Sequence, residues 1–187
     1  MNASPSKTLF VPFLFAALAA ISQARAETIQ LGKIQFVANT NVKMFKFTGE
    51  AKSLVSKITR ANGAIQSFEF TIPVAEIRTG MDVRDKHMYE RIFTTADGKL
   101  PDLTYQSSKV ECKAAEAGTQ TCAISGKLTF HGETKEFPIT ATVKNGSEVS
   151  GKASVDVLQF GVKPEVLKYA KIVVENQVAL DFEVKLQ

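Results

Sequence analysis

Two histidines and two cysteines among 187 residues leave little room for metal chemistry. A catalytic zinc site takes three protein ligands, whereas His87 and His131 stand far apart with no H-x-x-x-H spacing. Asp82, Asp85 and His87 offer further donors, but Asp82 and His87 lie about 140° apart around a helix. No metal and no cofactor is therefore expected. A G-x-S-x-G elbow and a glycine-rich phosphate loop are also missing, so no residue is assigned a catalytic role and the chain is not read as an enzyme. Acids and bases are interspersed without a block of one sign, and nucleic acid is not expected as a partner. Nor does any apolar run reach about 18 residues, so no membrane-spanning helix is predicted and the protein is not read as integral to a membrane.

The longest apolar run, Leu9 to Ala20, is preceded by Lys7 and followed by Ala24-Arg25-Ala26. That order of charge, short greasy stretch and small residues is a secretory signal, with cleavage expected after Ala26. Residues 27–187 then form one domain, 161 residues long, whose formal charge drops from +4 to +2 with the loss of Lys7 and Arg25. Such a domain is large enough for a self-sufficient core. Export, with the periplasm as the destination, also bears on Cys112 and Cys122. In an oxidising compartment, ten positions apart and without C-x-x-C spacing, they read as a structural disulfide.

What the mature chain has in abundance is alternation. Ile34, Phe36 and Ala38 share one face of a first strand, and Phe45 and Phe47 share another before Gly49, where a bend or bulge is expected. Phe68, Phe70 and Ile72 line a strand that Pro73 ends, because proline has no N–H for the ladder. Leu103 and Tyr105 open the next. Cys122, Ile124, Leu128 and Phe130 follow, then Phe137, Ile139, Ala141 and Val143. Near Leu158 the apolar side switches from Val155 and Val157 to Leu158 and Phe160, which a bulge would allow. The last strand sets Val174, Val178, Leu180, Phe182, Val184 and Leu186 on one side, interrupted only by Asn176. Asn62-Gly63, His131-Gly132 and Asn145-Gly146 mark tight reversals between these runs.

One stretch departs from period two. From Thr79 to Phe93, Met81, Met88 and Ile92 fall at helical spacings, with Thr79 and Asp82 suited to the first turn. About eight strands, each apolar on one face, gain most by closing on themselves, since closure leaves no unpaired edge. The expected fold is all-β: an antiparallel barrel of about eight strands with one short helix plugging an end. A barrel of that size is either filled by its own side chains or holds one small ligand. Alternation alone does not decide between them.

Three patterns in order then resemble the YceI-like family. Thr79 precedes Arg84-Asp85-x-His87-Met88 and Phe93; Pro101-x-Leu103-x-Tyr105-x-Ser107 follows; Gly126, Leu128, Phe130, Gly132 and Thr134-Lys135 complete the set, with Phe160-Gly161 beyond. In three places the chain departs from the family's pattern, with Lys33-Ile34-Gln35-Phe36 where D-x-x-H-S is usual, Val157 where an arginine is usual, and Ala96 to Leu100 without the usual Tyr before Pro101. The resemblance implies a lipocalin-like barrel whose apolar interior holds a polyisoprenoid, an isoprenoid quinone or a fatty-acid-like chain. The implied lining is Phe36, Phe45, Phe47, Phe68, Phe70, Met88, Phe93, Tyr105, Leu128, Phe130, Phe160, Leu180 and Phe182. Arg84, His87 and Tyr89 are the candidates to meet a polar headgroup. Lipid carriage or sequestration is the leading expectation, an envelope interaction protein without ligand the alternative, and an enzyme acting on an isoprenoid lipid the third. Association of two copies is compatible with the sequence.

Overall fold

The computed structural model describes residues 25–62, 64–116 and 118–186. Most of the segment expected from the sequence to be a secretory signal, residues 1–24, lies outside that range, while Ala26, the expected cleavage point, falls in the first strand opposite Thr59. In chain order the strands are β1 (Arg25–Thr40), β2 (Lys46–Ala61), β3 (Ala64–Ile72), β4 (Ile77–Arg78), β5 (Leu103–Ala114), β6 (Thr119–Phe130), β7 (Glu133–Glu136), β8 (Ile139–Lys144), β9 (Glu148–Asp156), β10 (Lys168–Tyr169) and β11 (Ile172–Lys185). The three short ones, β4, β7 and β10, lie off the main circuit, pairing β2, β6 and β11.

The other eight pair antiparallel in sequence order, β1-β2-β3-β5-β6-β8-β9-β11, and β11 returns to β1 with Phe36 opposite Leu180 and Ile34 opposite Phe182. That circuit is an up-and-down barrel. Phe45 and Gly49 do not mark a separate strand, because β2 runs unbroken for 16 residues. Gly49 serves a different end: a Cβ there would lie 2.3 Å from the ring of Phe36, its partner on β1. Its missing side chain lets that ring lie against the barrel wall, so neither bend nor bulge is needed. Gly151 does the same for Phe182, where an added Cβ would approach the ring to 2.4 Å.

The reversals are tight. His131 and Gly132 both adopt positive φ, 52° and 82°, between Phe130 and Glu133, which matches the right-handed twist of the strands they join. Asn145 and Gly146 do likewise, at 51° and 66°. Cys112 and Cys122 are directly opposed on β5 and β6 and joined by a disulfide. The expected bulge near Leu158 is instead a 3-10 turn, Val157–Phe160, capped by the Asp156 carboxylate, which accepts from Leu158 N at 3.1 Å. The turn buries Val157 and Phe160 and leaves Leu158 partly exposed, so the switch of side comes from turn geometry. Asp156 also accepts from Asn176 Nδ2 at 2.8 Å, which accounts for the one polar residue in β11's apolar row.

Between β3 and β5 the chain leaves the wall for an excursion that carries α1 (Asp82–Met88), continued by a single π-helical turn, Tyr89–Phe93. Met81 occupies the N-cap position and makes no side-chain cap, so Thr79 is not a capping residue. Its backbone N–H and hydroxyl both donate to the buried Asp85 carboxylate, the former at 2.8 Å. Asp85 thus faces inward, satisfied by the chain that leads into its own helix.

Candidate functional site

The barrel interior divides along its axis. Towards the disulfide end, Leu54, Ile58, Phe68, Cys122, Ala141, Val149 and Val184 are all buried, and none of them borders the cavity. Towards the helix, the same strands surround an apolar cavity of about 660 Å³. Ile34, Phe36, Ala51, Phe70, Ile72, Leu128, Ile139, Ala153, Val155, Leu180 and Phe182 line its depth. This volume lies within the roughly 300–1,000 Å³ typical of sites for small molecules. The chain therefore has both states that a barrel of eight strands allows, one in each half.

Of the lining inferred from the sequence, Phe36, Phe45, Phe47, Phe70, Met88, Phe93, Leu128, Phe130, Leu180 and Phe182 border the cavity. Phe68, Tyr105 and Phe160 do not. Phe68 is packed beside Phe70 and Phe182, with ring centroids at 5.8 and 6.2 Å, on the filled side of them. Tyr105 stacks behind Phe70 at 5.2 Å and 13°. Phe160 backs Phe130 at 5.6 Å, and Phe130 in turn meets Phe93 edge-on at 5.7 Å. These three support the wall from behind. Burial drives the Tyr105 phenol up to about 12, with the Glu136 charge adding to it.

The polar part of the cavity comes almost entirely from the helical excursion: Thr79, Arg84, His87 and Arg91, joined by Glu175 on β11. Arg84 donates to the Thr79 carbonyl and holds its guanidinium 5.5 Å above the Phe47 ring, while its Nε is buried without a hydrogen-bond partner. No carboxylate among the described residues forms a salt bridge with it. Tyr89, the third headgroup candidate, lies elsewhere. Its hydroxyl donates to the Ile77 carbonyl, takes a bond from Arg78, and borders a small outer depression with Asp82, Lys86 and Glu90. The reason is angular, since Tyr89 is about 140° around the helix from Arg84. Arg91 was missed, although its signal was present: seven positions after Arg84 and four after His87, it shares their face.

Val157, standing where the family has an arginine, is buried and borders the cavity with an apolar surface. Val166 and Leu167, in the 3-10 turn Pro164–Leu167, also reach the wall, though nothing in their spacing marks them. His131 does more than turn the chain. Its Nε2 lies 3.0 Å from the Thr94 carbonyl and its Nδ1 3.1 Å from that of Phe160, so the ring ties the exit of the helical excursion to the 3-10 turn. The helix covers the cavity mouth only in part: Met81 and Val83 border the cavity yet are 58% and 68% exposed.

An up-and-down barrel with an apolar chamber open at one end is the architecture of a lipocalin-like binding protein. The chain belongs to the YceI-like family, whose YceI-like domain matches residues 25–186. A UPF0312 protein of Pseudomonas fluorescens is 33% identical over 98 residues, a match spanning 51% of this chain and about half, 49%, of that protein. Among solved structures, Burkholderia cenocepacia BcnA superposes with a TM-score of 0.66 at 21% identity, covering 83% of this chain and 96% of its own. A polyisoprenoid binding domain from Saccharophagus degradans, implicated in plant cell wall breakdown, superposes at 0.63 with 16% identity over 88% of this chain and all of that domain. At these identities the likeness is one of fold.

Proposed function

We propose that the protein binds one long apolar or amphiphilic molecule, a polyisoprenoid, an isoprenoid quinone or a fatty-acid-like lipid, and carries or sequesters it outside the inner membrane. The observation that supports this most directly is the chamber itself: about 660 Å³ walled almost wholly by aliphatic and aromatic side chains and open to solvent beside α1. Water gains few hydrogen bonds there, whereas an alkyl chain leaves water at about 0.8 kcal/mol per buried CH₂. About ten such groups contribute on the order of 8 kcal/mol gross, reduced by the ligand's lost freedom. Binding of this kind requires no catalytic residue.

In this reading the tail lies along Phe36, Phe70, Leu180 and Phe182, and the head remains at the mouth near Arg84, His87 and Arg91. The unpartnered Arg84 Nε–H supports that orientation, because a buried donor gains by meeting a ligand oxygen. Polar groups few in number and confined to one end are how apolar pockets fix a ligand's direction.

Native mass spectrometry of protein purified without detergent tests the proposal. A uniform added mass that organic extraction removes, with the protein still folded, is the expected result. Protein that carries no lipid from its native source and takes up none when offered each of the three lipid classes would leave the alternative, an envelope protein acting through its surface. Turnover of an isoprenoid substrate, abolished by one substitution among Arg84, His87 and Arg91, would replace binding with catalysis.

A further inference from the structure

Nine large apolar side chains are exposed among the described residues; three of them, Phe45, Met81 and Val83, border the cavity, and three more, Val42, Met44 and Val173, lie close to lining residues in the chain, near Phe45 or between Ile172 and Val174. Among the described residues of the turns at the opposite end, around Asn62, Glu116 and Asn145, there is none. Met44 is the extreme case. It is fully exposed at the tip of the β1–β2 connection and adopts φ 74°, a left-handed backbone that methionine rarely takes. A greasy residue held in a disfavoured conformation and projected into solvent gains nothing within the fold.

On the two strand-connecting segments the charges beside these residues are mostly basic, while Asp82 stands between Met81 and Val83. Segments 41–46 and 168–175 carry Lys43, Lys46, Lys168 and Lys171, all exposed, against one acid, Glu175. The two segments form a single surface. Asn41 N donates to the Val173 carbonyl at 2.9 Å, Asn41 Nδ2 to the Lys171 carbonyl at 3.1 Å, and Val173 N to Asn41 Oδ1 at 2.8 Å. Apolar residues rimmed by lysines match the interface of a bilayer, in which apolar side chains enter the headgroup boundary and cations meet acidic lipid heads.

We propose that the cavity mouth is a membrane-docking face for bilayers containing acidic phospholipid, with Val42, Met44 and Phe45 entering the headgroup layer and the lysines of both segments held against it. Phe45, Met81 and Val83 border the cavity and are also exposed, so docking in this orientation turns the chamber's opening towards the lipid. The inference concerns the outer rim and stands whatever the chamber holds.

Vesicle co-sedimentation tests it. Protein purified from the cell envelope, its N-terminus checked by mass, is mixed with vesicles of phosphatidylcholine alone or of an equimolar mixture with phosphatidylglycerol. Binding is expected to the mixed vesicles and to fall at high salt, because the lysine contribution is screened. The pair Lys43→Glu and Lys46→Glu should lower the partition by about tenfold or more. Met44→Asn should lower it severalfold without loss of thermal stability, since asparagine accepts positive φ more readily than methionine. Any leader retained on the chain is common to all variants, so the differences report the rim. Absence of binding by the unaltered protein, or equal binding by the folded variants, would overturn the proposal. Concentration-dependent dimers that Met44→Asn dissociates, without vesicle binding, would assign the face to a second copy of the chain instead. Uptake of apolar ligand is measured separately, so failure of docking and failure of lipid binding are distinguishable.

Discussion

At the disulfide end of the barrel Ile58, Phe68, Ile124, Val149 and Val184 fill the lumen, whereas at the helix end Phe36, Leu180, Phe182 and Ala153 surround open space. Both halves are made by the same strands with the same alternation, so the pattern that specifies a wall does not specify what the wall encloses. The difference lies in where the large rings rest. Phe36 and Phe182 lie over Gly49 and Gly151 on neighbouring strands and stay close to the wall. Phe68 has no such recess and contributes its volume to the filled half, where it is 1% exposed.

The sharpest way to test that contrast is truncation in each half. Phe68→Ala is expected to cost about 3–5 kcal/mol in chemical denaturation, because it removes a fully buried ring and leaves a void. Leu180→Ala should cost only about 1–2 kcal/mol, since its side chain already faces space and creates no new enclosed cavity. Equal losses would mean that the chamber is not hollow in solution. Next in size is the staple of the filled end: replacing Cys112 and Cys122 together by alanine should cost about 2.5–3 kcal/mol in the chain-entropy model. Affinity for an apolar ligand should be unaffected, as neither cysteine borders the cavity.

Gly151→Ala bears on the recess itself. The added methyl would meet Phe182 at 2.4 Å and the Thr140 carbonyl at 2.6 Å, so the ring must turn inward and the strands shift. A loss of about 1–3 kcal/mol is expected, together with a smaller chamber that takes up less apolar probe. The smallest effect concerns Tyr105, at the boundary between the halves. Burial and the Glu136 charge raise its phenol to about 12, so the folded state keeps a proton that the unfolded chain gives up near its ordinary value of 10. Its contribution to stability is complete below pH 10 and is lost as the pH rises from 10 to 12. Tyr105→Phe should flatten that alkaline decline in a pH series of melting temperatures while leaving neutral stability nearly unchanged.

Much of the architecture was legible because strand periodicity and turn chemistry are local. The runs ending at Ile72, Phe130 and Val143 and the reversals at His131 and Asn145 were read from neighbouring residues alone, and the structure places strands and turns there, except that Phe137 falls outside the strand, which begins at Ile139 after Pro138. The site was legible only in part. Depth along the barrel depends on register between strands, which no single strand encodes. Phe68 and Phe70 therefore look alike in sequence, although one fills and the other lines. The helix shows a second limit. Spacing could have paired Arg91 with Arg84 and His87, but the inward turn of Asp85 depends on the path of Thr79 before the helix begins. Val157–Phe160 misled for a related reason: a short 3-10 turn buries both of its ends and resembles a strand that changes face.

Filling the chamber from its wall tests the central claim most directly. Ala153 borders the cavity and is only partly buried, so Ala153→Trp has room for its ring in the open half without disturbing the filled one. Titration with a fluorescent fatty acid should show one saturable site in the delipidated unaltered protein. It should show none, or one at least about tenfold weaker, in an Ala153→Trp variant whose melting temperature is preserved. Equal affinity in the two proteins would contradict the account and place any bound lipid outside the barrel.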